Sequence, residues 1–152
     1  MLNRLQDVFK SFQQHEVRYV VIGGIASVLH GVPRATFYLD ILIDPTDENA
    51  LRLLSALADA GFGTAAMTNA GEILAHEITV FNDRVRFDVQ TRTPVISFHD
   101  AWRRRKTVTY QGQDLFIVSK EDLIASKQAS GRDVDLEDVH MLQLPDQEET
   151  TS

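Results

Sequence analysis

Asp40 and Asp88 are the residues of this chain best suited to chemistry. Asp40 lies in Tyr38-Leu39-Asp40-Ile41, where strand alternation sets it on the same face as Tyr38 and Leu42, away from Leu39, Ile41 and Ile43. Asp88 falls mid-strand among Arg84, Arg86 and Gln90, while Val85, Phe87 and Val89 point the other way. A carboxylate in that position is either solvated or serves a site. Upstream, Gly23-Gly24 end an apolar strand and lead into a short helix from about Ile25 to His30. The start of that helix offers free N–H groups and a positive dipole end beside the Asp40 strand. A triphosphate and its magnesium need both. Ser27 adds a hydroxyl on the first helical turn, and Arg34 and Thr36 put a cation and a donor just before the acidic strand. Lys127, on an otherwise apolar helix face, either reaches the same phosphates or snorkels to solvent.

The elements that must position these residues follow from periodicity. Leu2, Leu5, Val8, Phe9 and Phe12 recur at helical steps, predicting an amphipathic helix over residues 2 to 15. Arg18 to Ile22 is a buried strand, Gly31 ends the next helix, and Pro33 prevents its resumption. Phe37 to Ile43 is the acidic strand. Thr46 caps a following helix whose buried stripe reads Leu51, Leu54, Leu57 and Ala58, with Gly61 ending it. Residues 62 to 75 read as a loop with one short strand or helical turn. His76 to Phe81 and Arg84 to Gln90 form two strands about a turn at Asn82-Asp83. A helix over Phe98 to Arg105, strands over Thr107 to Tyr110 and Leu115 to Val118, a Ser119-capped helix to about Ser130 and a last helix from Asp135 complete the chain.

A lone Gly-Gly predicts little, but thirteen residues separate Gly24 from Tyr38, and here the chain resembles the DNA polymerase beta-like nucleotidyltransferases. The closest look is to small bacterial minimal nucleotidyltransferases and AbiEii-type toxin-antitoxin-related proteins, in which a segment like Gly31-Val-Pro-Arg34-Ala-Thr36 precedes two acidic residues separated by one apolar residue. The segment VSKEDLIASKQASGRDVDLEDVHML resembles their helical end, with Lys127, Arg132 and Asp135 matching. The resemblance covers roughly Tyr19 to Leu142. It implies an α/β (α+β) nucleotidyltransferase fold: a small mixed sheet flanked by helices, with a helical C-terminal segment. It also implies magnesium-dependent transfer of a nucleoside monophosphate to a hydroxyl of RNA, protein or a small molecule. Asp40 and Asp88 would hold metal, and Gly23, Gly24, Ser27, Arg34, Thr36 and Lys127 would meet the nucleotide.

Two departures remove charge from that scheme. Tyr38 stands where the first metal-binding aspartate belongs, and Val134 where a second lysine is usual. Paired magnesium ions about 3.5 to 4 Å apart need several converging carboxylates, and alternate strand residues about 6.6 Å apart on one face suit the task. A tyrosine, with a reference pKa of about 10, is neutral at pH 7 and a poor magnesium ligand. Asp44 does not substitute, being about 13 Å further along the strand. The alternative is a catalytically silent module that binds nucleotide or a protein partner.

Composition limits the remaining classes. The 152 residues suffice for one core, so a single domain over 1–143 is expected, with a core over about 16–118, C-terminal helices over about 119–143 and a flexible acidic tail over 144–152. There is no cysteine, which excludes disulfides and thiolate metal sites. The five histidines lack ligand spacing, and the start of the chain lacks the apolar run of a signal peptide or membrane span. A cytoplasmic protein is expected. A net charge of −7 argues against wrapping DNA. The run Arg103 to Lys106 reads as a solvated helix end or, with Trp102 beside it, an RNA contact.

Overall fold

Alternating apolar residues build the centre of the molecule. The computed structural model describes residues 4–145, which form one six-stranded mixed sheet with helices on both faces. In chain order the elements are α1 (Gln6–Gln14), β1 (Tyr19–Ile22), α2 (Gly23–Leu29), β2 (Tyr38–Ile43), α3 (Asp47–Asp59), a 3-10 turn (Gly63–Met67), α4 (Ala70–Ala75), β3 (Ile78–Asn82), β4 (Arg86–Gln90), α5 (Phe98–Arg104), β5 (Lys106–Tyr110), β6 (Gln113–Ile117), α6 (Lys120–Ser130) and α7 (Asp133–Leu142). The strand order is β3-β4-β2-β1-β6-β5. The pairs β2/β4 and β1/β6 are parallel, and the others are antiparallel.

One sheet face is apolar. Tyr19 pairs with Ile43, and Leu39 with Phe87, so these side chains share that face. The α1 helix covers it, with Phe12 against both Tyr19 and Phe87. Phe9, Phe12, Phe62, Phe81 and Phe87 are fully buried, each contributing about 1.5–3 kcal/mol relative to an exposed ring. Helix α3 lies beside α1, where the Ser11 hydroxyl donates to the Ala56 carbonyl at 2.7 Å. Buried Asn49 ties α3 to the sheet end by accepting from the Arg18 N–H at 2.8 Å and donating to the Asp44 carbonyl at 2.9 Å.

Capping residues act as their chemistry predicts. The Thr46 side chain accepts from the Asn49 N–H, the Ser119 side chain accepts from the Asp122 N–H, and Gly131 takes the left-handed conformation that ends α6. Other boundaries shift. Helix α1 is shorter than expected, with Leu2 outside the described residues, as are the acidic residues Asp146, Glu148 and Glu149. Residues 62 to 75 hold two helical pieces, and His76 and Glu77 precede β3. The α3 stripe is rotated: Ala50, Leu53, Ala56 and Leu57 are buried, Leu54 is half-buried, and Leu51 and Ala58 are exposed. The Asn49 anchor fixes this rotation, because burying its amide turns position 51 outward. Among the described residues no helix is long and apolar enough to cross a membrane.

Leu53→Ala should therefore cost about 2–5 kcal/mol in denaturant unfolding, whereas Leu51→Ala should stay within about 0.5 kcal/mol of wild type.

Candidate active site

The opposite sheet face carries the polar residues, and its geometry follows from register. Parallel pairing of β2 with β4 sets Tyr38 opposite Arg86 and Asp40 opposite Asp88. Strand alternation turns all four toward one side. A site shared by Asp40 and Asp88 needs β2 and β4 to be neighbours with both acids on one face, and the register provides both.

Across the other edge of β2, Asp40 pairs with Ile22, the last residue of β1. The chain turns at Gly23, whose φ is +69°, and enters α2 at once. Gly23 and Gly24 are thus the first turn of the helix rather than a loop before it. A Cβ on Gly23 would stand only 2.4 Å from Asp40 Oδ2, so both the backbone angle and the close approach demand glycine. At Gly24 the nearest side chains are Thr36 and Arg34, at ordinary contact distances of 3.5 and 3.7 Å. Gly23, Asp40 and Asp88 border one hollow of about 370 Å³, and Gly23, Gly24 and Asp40 border a second of about 220 Å³ that includes Arg34 and Thr36.

The two acids are neutralised differently. Arg86 grips Asp88 with both prongs, Nε to Oδ1 and Nη2 to Oδ2, each at 3.1 Å. Its guanidinium carbon lies 4.4 Å from the centroid of the Tyr38 ring, a cation–π contact. Burial raises the Asp40 pKa to about 7, and the neighbouring charge of Asp88 and a hydrogen bond shared with it act in the same direction. The charges of Arg86 and Lys127 oppose the rise.

Lys127 does not snorkel to solvent. It is buried, with Nζ 3.1 Å from Asp135 Oδ1 and 3.0 Å from Asp138 Oδ2. Its remaining stake in the site is as part of the wall of both hollows. Asp138 also accepts from Arg34 Nη1 at 2.6 Å and from the Ser27 hydroxyl at 3.2 Å. Fully buried Ser27 thus braces α2 against α7 through that contact. Thr36 donates to the Tyr38 carbonyl at 3.2 Å. Asp135 accepts from Arg132 Nε at 2.9 Å and from the Ser130 hydroxyl at 2.5 Å. Burial alone would raise its pKa, but those bonds and the charge of Lys127 hold it below the ordinary carboxylate range. Arg86, Arg132 and Asp138 were not assigned to the site from sequence. The face shared by Arg86 and Asp88 was the available signal for the first.

The basic run stands elsewhere. Arg103 pairs with Asp100, Arg104 forks Asp122, and Arg105 lies over Trp102 with 3.8 Å to the ring centroid. Trp102 itself stacks on Phe98. Asp44 pairs with Arg18 at 3.2 Å.

A pair of magnesium ions does not fit this donor set. Both Asp88 oxygens are engaged by Arg86, and Tyr38 offers a phenol where a further carboxylate would be needed. Among the described residues no group of three or more His, Asp or Glu side chains is placed to hold a metal.

Solved structures with this architecture define the class. The Thermotoga maritima presumptive nucleotidyltransferase TM1012 aligns with a TM-score of 0.56 at 17% identity, covering 93% of this chain and 89% of its own. The lincosamide antibiotic adenylyltransferase LnuA, in its lincomycin-bound form, aligns with a TM-score of 0.60 at 16% identity, covering 94% and 96%. An antigenic nucleotidyltransferase-like protein from Paracoccidioides brasiliensis gives 0.56 at 17% identity, covering 91% and 73%. At these identities the likeness shows the fold: this is a nucleotidyltransferase-fold protein. Residues 2–149 match the family described as nucleotidyltransferase of unknown function (DUF6036), and the chain belongs to that family. No curated protein matches it.

Asp40 sets a pH dependence. Its raised pKa means that the fold binds a proton the unfolded chain would release, so the stability it contributes is complete below about pH 4 and is lost as pH rises through about 7. Asp40→Asn abolishes that loss. Thermal unfolding from pH 5 to 8 should show the variant gaining on wild type as pH rises, and parallel curves would refute the assignment.

Proposed function

We propose that the cleft beside Asp40 and Asp88 binds a nucleoside triphosphate, and that this chain works as a nucleotide-binding module rather than as a magnesium-dependent transferase. The observation that carries the reading is the Arg86 fork. It spends Asp88 on a side-chain cation at the position where a metal would need a free carboxylate. Support for a nucleotide comes from family membership and from the arginines around the hollows: Arg86 lines the larger, Arg34 the smaller and Arg132 both. The first-turn N–H groups at Gly23 and Gly24 are the backbone donors of this site, and Thr36 adds a hydroxyl near them.

A second reading is favoured by one observation. Asp40 stands opposite Asp88 on the cleft face beside Gly23, a position from which a carboxylate could take a proton from an acceptor hydroxyl. It is the magnesium-dependent transfer of a nucleoside monophosphate to RNA, protein or a small molecule. The lincosamide acceptor of LnuA suggests a small molecule, and the likeness to toxin-antitoxin-related proteins suggests a protein. The apolar residues among the lining of the larger hollow, Ile22, Ile78, Pro94, Ile96, Val118 and Leu123, would suit a small acceptor.

Calorimetric titration with the four common nucleoside triphosphates tests the first reading. Saturable binding that Arg132→Ala weakens by about tenfold is expected, with no label transfer when magnesium and an α-labelled triphosphate are supplied. Failure of all four to bind would contradict it, and label transfer abolished by Asp40→Asn would establish the second reading instead.

A further inference from the structure

Four side chains form a square on the cleft face of the sheet: Tyr38 and Asp40 along β2, Arg86 and Asp88 along β4. In a two-metal site the carboxylates would converge on cations held between them. Here one corner is aromatic and the corner facing it is a cation belonging to the chain. The guanidinium reaches along its own strand to fork Asp88 at 3.1 Å through both contacts, and stacks on the ring across the strand gap. Neither residue alone would have this effect. Without Tyr38, Arg86 would lose its platform; without Arg86, Asp88 would face the cleft as an unpaired acid. The Arg86 side chain remains 48% exposed and lines the larger hollow, and its fork on Asp88 uses Nε and Nη2, so Nη1 lies outside that fork.

We propose that Arg86 takes the place of a divalent cation in this cleft, screening Asp88 and donating to the phosphates of a nucleotide that binds without metal. The inference rests on the nucleotide reading above, and it adds the cation on which that binding depends. A guanidinium suits the role because its planar fork can serve a carboxylate on one edge and a phosphate oxygen on another. A lysine at position 86 would offer a point charge with neither the fork nor the stack.

Two titrations of the metal-free protein test the proposal. In the first, Mn²⁺ is added and its free fraction followed by electron paramagnetic resonance. Wild type should bind no Mn²⁺ that Asp40→Asn abolishes, while the double variant Tyr38→Asp with Arg86→Gln, which returns a carboxylate and removes the internal cation, should bind at least about tenfold more tightly than wild type. In the second, a fluorescent ATP analogue is titrated in EDTA and again in magnesium. Wild-type affinity should differ by less than about twofold between the two buffers, and Arg86→Gln should weaken binding in EDTA by about tenfold.

Wild-type Mn²⁺ binding lost in Asp40→Asn, or nucleotide binding that appears only with magnesium, overturns the proposal and the metal-free part of the reading above, while nucleotide binding in this cleft stands. Absence of nucleotide binding in both buffers overturns both. The wild-type titrations in EDTA and in magnesium decide the matter even where a variant folds poorly.

Discussion

Asp40 and Asp88 stand opposite one another on adjacent parallel strands, and two ionised carboxylates so placed repel each other strongly. At an effective dielectric constant of about 20, unit charges about 4 Å apart interact by about 4 kcal/mol. The fold must relieve that repulsion with a proton, a cation or a ligand. This chain uses the first two. Burial and its neighbour leave Asp40 protonated up to about pH 7, and Arg86 compensates Asp88. Gly23 then fits flush against Asp40, so the glycine turn, the protonated acid and the forked acid are consequences of one packing arrangement.

A second set of charges encloses the cleft. Lys127, Asp135 and Asp138 are all buried, and Arg34, Ser27, Ser130 and Arg132 complete their contacts. Buried charges of this kind are costly unless each finds partners, and removing one member strands the others. The network joins α2 and the loop before β2 to α6 and α7, elements about 100 residues apart in the chain. It is why the C-terminal helices form a wall of the site. In this light the basic residues near the cleft are structural first: Arg34, Arg86, Lys127 and Arg132 each hold a carboxylate before any ligand arrives.

Much of this was written in local pattern. Strand alternation located Asp40 and Asp88 on polar faces, and the caps at Thr46 and Ser119 marked helix starts because side chain and target N–H lie three residues apart. What was missed depends on partners distant in sequence. Lys127 is enclosed by Asp135 and Asp138 of the next helix, a packing that residue type alone does not reveal, and the Ser27 partner Asp138 lies 111 positions away. The rotation of α3 was obscured by Leu51, a strong apolar signal overruled by the buried amide of Asn49. Arg86 was a different case. Its face was correctly read, but a salt bridge along one strand is not implied by alternation.

A crystal structure of the protein grown with a non-hydrolysable ATP analogue and Mn²⁺, with anomalous data collected at the manganese edge, tests the central claim most directly. The account predicts phosphate density within hydrogen-bonding distance of Arg86, between the glycine turn and β4, with no anomalous peak between Asp40 and Asp88. A manganese peak bridging those two acids, with Arg86 swung away from Asp88, would contradict it.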